Sequence, residues 1–251
     1  MLSFINIASG SKGNATLIYT EDTLILLDMG VPKKRLLEAL SKIGRKYEDI
    51  QAVLITHSHS DHISCLDTLH DQFPVFAGFG VVNEGFHAVV FPGVGFDIGS
   101  LLIVPIEASH DAVSPLGYVF CKGKERIVYL TDTGIVKDDV LPYVTNSEYF
   151  IIESNHDMGL LVHSGRPQAL IDRISGNKGH LSNDQSALVM TVAVGPRTKK
   201  IYLAHLSEEC NSKELAIATY KKIFSEQQVD FDTKNIVTLS QNEMTMGGDA
   251  Q

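Results

Sequence analysis

The segment that most constrains the fold is residues 52–62, Ala-Val-Leu-Ile-Thr-His-Ser-His-Ser-Asp-His. A short apolar run, typical of a buried strand, leads directly into His57, His59, Asp61 and His62. Sites on α/β scaffolds commonly lie just past the carboxyl ends of strands. Neutral imidazole and carboxylate are ligands of Zn²⁺ and related divalent ions. The segment therefore predicts a strand that ends in a metal site. The alternative, a loop of solvated histidines, does not explain why four ligand-type side chains are so close in sequence.

Six residues cannot supply all the ligands of two metal ions, so further ligands must come from elsewhere in the chain. Three candidates each follow an apolar run of strand type: His110, Asp132 and His205. Alone, each is typical of a polar residue at a strand end, but beside the first motif each becomes a candidate ligand. A carboxylate with two oxygens, such as Asp132, is suited to bridge two ions about 3.5–4 Å apart.

The remaining pattern predicts an α/β fold in which helices cover sheets. Short β-branched and aliphatic runs predict strands at 2–7, 15–19, 23–27, 53–56, 74–76, 101–106, 117–121, 127–130, 148–152, 200–204 and 236–239. Helical spacing and capping residues predict helices at 34–43, 66–72, 167–175, 184–193 and 211–226, the last with a capping box that begins at Asn211. No repeat or linker interrupts the chain, so a single domain over residues 1–251 is expected.

Composition excludes several classes of protein. The chain has 251 residues, with 21 Lys and Arg against 30 Asp and Glu, for a formal net charge of −9. This balance excludes a strongly basic nucleic-acid coat and a basic membrane-surface protein, although a local nucleic-acid site stays open. Three cysteines are too few for a disulfide framework, which favours a reducing compartment. No apolar run has a membrane-spanning length and the start lacks signal-peptide character, so we expect a cytoplasmic protein without membrane contact.

Eight sequence motifs carry a resemblance to a known family. They are ASGSKGN at 8–14, LLDMG at 26–30, THSHSDHIS at 56–64, SHDAVSPLGY at 109–118, TDTG at 131–134, ESNHD at 153–157, GHLSN at 179–183 and LAHLS at 203–207. The histidine and aspartate pattern resembles the metallo-β-lactamase superfamily, and the motifs at 153–157 and 179–183 resemble its WalJ/YycJ-like group of exonucleases. The resemblance implies an αββα four-layer sandwich with a dinuclear metal site at one edge of the two sheets. It also implies phosphodiester chemistry on nucleic acid.

The resemblance also assigns roles to residues of this chain. It implies that one ion is held by His57, His59 and His110, that a second is held by Asp61, His62 and His205, that Asp132 bridges them, and that Asp28 orients ligands. The implied cofactors are two divalent ions per chain, Zn²⁺ or Mn²⁺, and the ligand types also admit Fe.

Catalytic candidates beyond the metals come from residues 179–183. Ser182 and Gln185 fit a capping box, which places His180 beside a helix N-terminus that favours a phosphate. The loop resembles that of tRNA 3′-processing nucleases, which implies that His180 protonates the leaving oxygen, paired with Glu153. The alternative for His180 is a loop histidine held by a backbone carbonyl. Asp61 is a candidate to accept the proton of the attacking water.

Three further residues are candidates for substrate binding: Asn155, His156 and Ser182. For Asn155 and His156, a local turn stabilised by Asn and Asp side chains is the alternative. The glycine-rich loop at 9–14 can cradle a phosphate or simply turn between two strands. Residues 79–99 carry no recognisable motif.

These features favour a metal-dependent phosphodiesterase that hydrolyses nucleic acid, with DNA digested from an end as the expected reaction. The second hypothesis is a hydrolase of a small phosphodiester, thioester or lactone, since the ligand set does not discriminate among these substrates. The third is a non-hydrolytic diiron protein or a scaffold. Diiron relatives usually carry Glu where this chain has His59, and a degenerate scaffold would have lost ligands.

Overall fold

The computed structural model describes residues 1–69, 72–82 and 87–249, with residue 87 described by its backbone alone. The chain divides into two compact units. The first comprises Met1–Glu107, Ala112–Arg126 and Leu239–Gln251, and the second comprises Ala108–Asp111 and Ile127–Thr238. The single-domain organisation expected from sequence stays a prediction.

The strands, in chain order, are β1 (Ser3–Ala8), β2 (Ala15–Tyr19), β3 (Leu24–Leu27), β4 (Ala52–Leu54), β5 (Val75–Ala77), β6 (His87–Val89), β7 (Phe96–Ile98), β8 (Leu101–Glu107), β9 (Leu116–Lys122), β10 (Glu125–Leu130), β11 (Tyr149–Glu153), β12 (Lys200–Ala204), β13 (Ile236–Thr238) and β14 (Thr245–Gly248). The α-helices are α1 (Lys33–Lys42), α2 (Ser60–Ile63), α3 (Leu141–Val144), α4 (Met158–Val162), α5 (Gln168–Ser175), α6 (Asn183–Ala193) and α7 (Lys213–Glu226). Short 3₁₀ turns lie at Tyr47–Asp49, Leu66–Thr68 and Thr233–Asn235.

The first unit contains a mixed sheet in the order β14-β1-β2-β3-β4-β5-β6. Pairing is antiparallel from β14 to β3 and parallel from β3 to β6. Strands β3 and β4 are buried along their whole length, as expected for parallel strands covered on both faces. The α1 side chains Leu36, Ala39 and Leu40 belong to the same apolar core as these strands. The unit also contains an antiparallel arrangement of β7, β8 and β9.

Parallel pairing places two motif residues at one edge of this sheet. Leu27 at the end of β3 pairs with Leu54 at the end of β4, and the Asp28 amide donates to the Leu54 carbonyl at 2.8 Å. Asp28 follows β3 directly, while His57 lies three residues beyond the end of β4. The two therefore leave neighbouring strand ends on the same side, and His57 lies past the carboxyl end of a strand, as the sequence predicts.

The second unit contains a parallel sheet formed by residues 127–130 of β10 and by β11, β12 and β13. Leu130 pairs with Ile152, and Ile152 pairs with Leu203. Asp132 follows β10, Glu153 ends β11 and His205 follows β12, so their side chains meet at the carboxyl edge of this sheet. Helix α6 begins after Ser182, whose hydroxyl accepts from the Gln185 amide at 3.2 Å in the predicted capping box.

Two local predictions are wrong. The segment 66–72 is not an α-helix but a 3₁₀ turn at Leu66–Thr68, and residues 70 and 71 of that prediction lie outside the described residues. The cap of α7 is Ser212, whose hydroxyl accepts from the Leu215 amide at 3.1 Å. Asn211 instead turns its side chain inward, where its amide donates to the Ser154 and Asn155 carbonyls at 2.9 and 3.0 Å. A buried amide network therefore outcompetes the local cap at this position.

Strands β6, β7 and β14 and helices α2, α3 and α4 have no counterpart in the sequence prediction. They are only three to five residues long, too short for periodicity to identify. None of the helices among the described residues is long and apolar enough to cross a lipid bilayer.

Candidate metal sites

Three imidazoles converge in the first unit because the chain turns sharply after β4. The ring centroids of His57 and His59 lie 4.7 Å apart, and those of His57 and His62 lie 4.1 Å apart. His59 is the N-cap of the one-turn helix α2, which carries Asp61 and His62. His57 and His62 are fully buried. The four side chains of the first motif thus form one cluster.

A buried aspartate orients this cluster. The Nδ1 atom of His62 lies 2.8 Å from Oδ2 of Asp28, and the Thr56 amide donates to Oδ1 of Asp28 at 2.9 Å. A ligand histidine commonly donates its second ring N–H to a carboxylate, which sets the tautomer and the ring angle. Nε2 of His62 is then its ligand atom. Burial raises the pKa of the Asp28 carboxyl, and the adjacent His62 offsets this only in part.

Gly30 and Asn14 hold the backbone of the Asp61 turn. A Cβ atom on Gly30 would lie 1.6 Å from the Asp61 carbonyl oxygen, so only glycine fits there. The backbone N–H of Asn14 donates to that same carbonyl at 2.7 Å. The backbone N–H of Met29 donates to the His62 carbonyl at 2.7 Å. The motifs at 8–14 and 26–30 are therefore supports of the ligand turn. Sequence reasoning assigned Gly30 no role, because the close approach depends on tertiary packing.

A second cluster lies in the second unit. One potential ligand atom from each of Asp132, Glu153, His180 and His205 lies within 4.8 Å of the others. Nδ1 of His205 is 3.4 Å from Oδ1 of Asp132, and Nε2 of His110 is 4.0 Å from the same oxygen. The structure thus brings together His110, Asp132 and His205, three ligand candidates that are widely separated in sequence.

His110 is oriented by a backbone carbonyl. Its Nδ1 lies 3.0 Å from the Gly179 carbonyl oxygen, which leaves Nε2 directed towards Asp132. Burial lowers the pKa of His110, and the charge of Asp132 opposes this only in part. The ring is therefore neutral near pH 7, the form that binds a metal ion.

Glu153 links the cluster to His180. Its Oε1 lies 2.8 Å from Nδ1 of His180 and 2.9 Å from Nδ1 of His205, and it is fully buried. Its Oε2 accepts from the Thr133 amide at 2.9 Å and from the Leu181 amide at 3.2 Å. The contact with His180 is the pairing expected from sequence, whereas the second bond, to His205, was not expected.

The opposite charges of Glu153 and His180 shift the pKa of both side chains. Burial raises the pKa of Glu153, but His180 and the hydrogen bonds from His180 and His205 outweigh burial, and the net pKa is lowered. Burial lowers the pKa of His180, but Glu153 and Asp132 outweigh burial, and the net pKa is raised. In the metal-free chain these shifts favour an imidazolium paired with a carboxylate.

Comparison with known proteins agrees with this geometry. Residues 8–77 match the metallo-β-lactamase superfamily. The chain is 38% identical over 227 residues to the exodeoxyribonuclease WalJ of Streptococcus pneumoniae serotype 2, strain D39, a match that covers 85% of this chain and 84% of that protein. The chain belongs to the metallo-β-lactamase superfamily and to its WalJ/YycJ-like group. The resemblance inferred from the motifs is confirmed.

One further relative extends the match within the WalJ/YycJ-like group, and one solved structure shares the fold. The exodeoxyribonuclease YycJ of Bacillus anthracis is 32% identical over 238 residues, which is 90% of each chain. The solved structure of the metallo-β-lactamase fold protein YhfI from Bacillus subtilis superposes with a TM-score of 0.72 at 16% identity, covering 98% of this chain and 99% of that one. The second likeness shows the fold alone. It confirms the prediction of an αββα metallo-β-lactamase-like fold.

The donor sets fit divalent metal ions of the kind this superfamily holds. Each of His62, His110 and His205 has its Nδ1 engaged by a carboxylate or a carbonyl, which presents Nε2 as the ligand atom. Carboxylates accompany the imidazoles in both units, a mixture suited to Zn²⁺ and also to Mn²⁺. The residues present therefore fit the group that the family implies.

The three substrate-binding candidates are mostly buried. His156 is fully buried, and its ring nitrogens contact Asn155 Oδ1 and Met158 Sδ, both at 3.3 Å. The Asn155 side-chain amide donates to the His205 carbonyl at 2.8 Å. The Ser182 hydroxyl caps α6, and Asp157 caps α4 by accepting from the Leu160 amide at 2.8 Å. These contacts favour the alternative of a stabilised turn, and substrate contact by these residues stays a prediction.

Replacement of Glu153 by Gln should lower the pKa of His180 in the metal-free protein. The substitution removes the carboxylate charge that raises this pKa and leaves burial, which lowers it. Titration of the His180 ring by NMR, after chelator treatment, should give a pKa above 6.5 in the parent chain and below it in the variant. Glu148→Gln is the control, because Glu148 pairs with Arg197 instead. An unchanged His180 pKa in Glu153→Gln would contradict the pairing.

The same variant should lose stability in a defined pH window. The lowered pKa of Glu153 stabilises the fold above the ordinary pKa of 4.5, and that contribution is lost as pH falls through the folded pKa of about 2. The raised pKa of His180 stabilises the fold below 6.5, and that contribution is lost as pH rises through the folded value. The drop in Tm on Glu153→Gln should therefore be larger at pH between 4.5 and 6.5 than at a pH above the folded pKa of His180.

Proposed function

We propose that the chain is a metal-dependent phosphodiesterase that hydrolyses nucleic acid, and specifically a DNA exonuclease. The observation that carries this proposal is the buried Glu153 bonded to His180 at 2.8 Å beside the ligand candidates Asp132 and His205. A histidine held by a carboxylate next to a metal site is suited to protonate a leaving alkoxide. Identity of 38% with one exodeoxyribonuclease, over 85% of this chain, supports DNA as the substrate.

We propose two divalent ions per chain, with the ligand assignment that the family resemblance implies. In that assignment His57, His59 and His110 would hold one ion, Asp61, His62 and His205 would hold the other, and Asp132 would be shared by both. Two such ions, when bound, neutralise charge that develops on a phosphate and lower the pKa of a coordinated water. Zn²⁺ and Mn²⁺ both suit these donors.

The protein groups have separate tasks in this reaction. Asp61 accepts a proton from the attacking water. His180 donates a proton to the leaving oxygen, and because Glu153 holds Nδ1, the donating atom is Nε2. The His180 side chain is 20% exposed whereas Glu153 is fully buried, so the histidine reaches the substrate and the carboxylate supports it.

Electrostatics and compartment agree with this assignment. A chain of net charge −9 binds DNA only if positive charge is concentrated locally, which two divalent ions provide. The three free cysteines support the proposal of a cytoplasmic location, where thiols stay reduced.

A small phosphodiester, a thioester or a lactone is the competing substrate class, because the ligand set does not distinguish these. A general acid at His180 favours a substrate whose leaving group is a poor one, such as the sugar oxygen of DNA. A thioester, whose thiolate leaves readily without a proton, gains less from it.

DNA labelled at either end, single-stranded or double-stranded, should shorten progressively in the presence of Mn²⁺ or Zn²⁺, with product lengths resolved on a gel. Turnover of DNA should fall steeply as salt rises from 50 to 200 mM, because polymer binding releases counterions, by about 10³-fold for a protein with many phosphate contacts. Hydrolysis of a nitrophenyl phosphodiester should be insensitive to the same salt. Uncut DNA alongside rapid hydrolysis of the small ester would favour the competing substrate class.

Metal analysis should find two ions per chain after reconstitution with excess Mn²⁺ or Zn²⁺. Asp132→Ala should lower occupancy of both positions because the carboxylate bridges, whereas His205→Ala should empty mainly one position. Inductively coupled plasma mass spectrometry of the desalted proteins gives the stoichiometry. No more than one ion in the parent chain would count against the dinuclear assignment.

His180→Ala should lower kcat for DNA by about 10²–10⁴-fold, since loss of a general acid typically has that effect. Its metal content should stay at the parent level. The loss should be smaller for a nitrophenyl phosphodiester, whose leaving group needs no proton. His163→Ala is the control. This histidine lies in the same unit, is exposed, and has its Nδ1 bonded to the Gly159 carbonyl. Loss of metal in His180→Ala would identify it as a ligand.

A further inference from the structure

The glycine-rich loop at residues 9–14 has no place in the proposed reaction. The structure favours a turn over a phosphate cradle, because Gln241 fills the loop. Oε1 of Gln241 accepts from the Lys12 amide at 2.9 Å, and Nε2 of Gln241 donates to the Gly13 carbonyl at 2.8 Å. A backbone N–H that a phosphate would need is therefore already used by this side chain. The loop has a different feature, the side chain of its last residue.

Asn14 is fully buried and hydrogen-bonded at every polar group. Its Oδ1 accepts from the Gly10 amide at 2.9 Å, and its Nδ2 donates to the Gly10 carbonyl at 3.0 Å. Its backbone amide donates to the Asp61 carbonyl, and its carbonyl accepts from the Gly30 amide at 2.9 Å. These bonds leave the side chain a single orientation.

The second hydrogen of the Asn14 amide meets two candidate ligands. Nδ2 lies 3.0 Å from Oδ2 of Asp61 and 3.0 Å from Nε2 of His62. An NH₂ group has two hydrogens, and the first is committed to Gly10. In the neutral imidazole, Nδ1 of His62 donates to Asp28 and Nε2 is therefore an acceptor. The amide hydrogen therefore points at the lone pair of His62 that a metal ion would take.

A reversed amide does not fit this environment. Exchange of the Asn14 oxygen and nitrogen would set Oδ1 against the Asp61 carboxylate oxygen and remove the acceptor of the Gly10 amide. The first change places two acceptors against each other, and the second places two donors against each other. The orientation in which the amide donates towards Asp61 and His62 is therefore the stable one.

We propose that Asn14 is a positioning residue for the ion held by Asp61 and His62. In the metal-free chain its amide keeps both side chains in their ligand arrangement. With an ion at Nε2 of His62, the Asn14 amide hydrogen would bond to Oδ2 of Asp61 alone, and Oδ1 of Asp61 would be the oxygen left for the ion or for the attacking water. This inference rests on the proposed metal site, and it assigns a function to a loop whose glycines alone suggested a turn.

The test is metal binding to the chelator-treated protein. Mn²⁺ or Zn²⁺ is titrated calorimetrically into the parent chain and into Asn14→Ala. One binding step should weaken by about 10–100-fold, the usual effect of losing a hydrogen bond to a metal ligand, and the other step should stay within about threefold. Unchanged affinity in both steps, in a folded variant, would overturn the proposal.

Asn6→Ala is a matched control. Asn6 is another fully buried asparagine of the first unit, and its amide donates to the Ala8 carbonyl at 3.1 Å and to the Thr16 hydroxyl at 2.9 Å. Its loss should leave both metal affinities at the parent level. An equal loss of affinity in Asn6→Ala would show that any damage to this sheet weakens the site, and the proposal would then be wrong.

Kinetics at saturating metal separate positioning from general damage. Asn14→Ala should lower kcat for DNA while KM stays within about threefold, because Asp61 is misplaced but the DNA-binding surface is intact. If Asn14→Ala does not fold, the nearly isosteric Asn14→Leu replaces it in the titration. If neither variant folds, the fold itself depends on Asn14 and the proposal is overturned.

Failure of this inference is distinguishable from failure of the nuclease assignment, because metal titration requires no turnover. A parent chain that binds metal but leaves DNA uncut would refute the nuclease assignment and leave Asn14 testable. A parent chain that cuts DNA, with Asn14→Ala binding metal normally, would refute only the role of Asn14.

Discussion

The hydrogen bond between a buried carboxylate and an imidazole is the interaction on which each unit of this protein depends. In the first unit Asp28 holds His62 at 2.8 Å, and in the second Glu153 holds His180 and His205 at 2.8 and 2.9 Å. Burying a carboxylate is costly unless it is paired and hydrogen-bonded, and both carboxylates also accept backbone amides. The strands bring these groups together, because parallel neighbours end at one edge.

Backbone strain marks the same strand ends. Asp28, Asp132 and His205 have φ angles of 58°, 54° and 55°, a left-handed conformation that non-glycine residues rarely adopt. Such positions cost about 1–3 kcal/mol each and persist where the surroundings over-determine them. Here the side-chain bonds of Asp28 and the Asn155 bond to the His205 carbonyl supply that constraint. Each of these residues lies within two positions of the end of its strand, at the edge where the candidate ligands lie.

Sequence reasoning locates the candidate ligands at strand ends because they follow a strong local rule, an apolar run that ends in a polar side chain. It also recovers most helices and strands, whose periodicity is independent of tertiary contacts. It does not recover the second bond of Glu153 to His205, or the fit of Gly30 against the Asp61 carbonyl. Both depend on which loops meet in three dimensions. The same holds for Asn211, where a buried network overrides a good capping sequence.

The amide of Asn14 shows why the supports of a metal site are harder to read than its ligands. A ligand must be one of a few residue types, whereas a support needs only a donor or an acceptor at the right point. Asparagine in a glycine-rich loop is ordinarily a turn former. In this chain the turn itself is what directs the amide inward, since Gly10 occupies the other hydrogen and the oxygen of the same side chain. Without the Asn14 hydrogen bond, the two oxygens of the Asp61 carboxylate would face the ion equally often. When one carboxylate oxygen is already hydrogen-bonded, the other oxygen faces the ion before the ion binds. The entropy of ordering the side chain is then lost on folding, so it does not reduce the affinity for the ion.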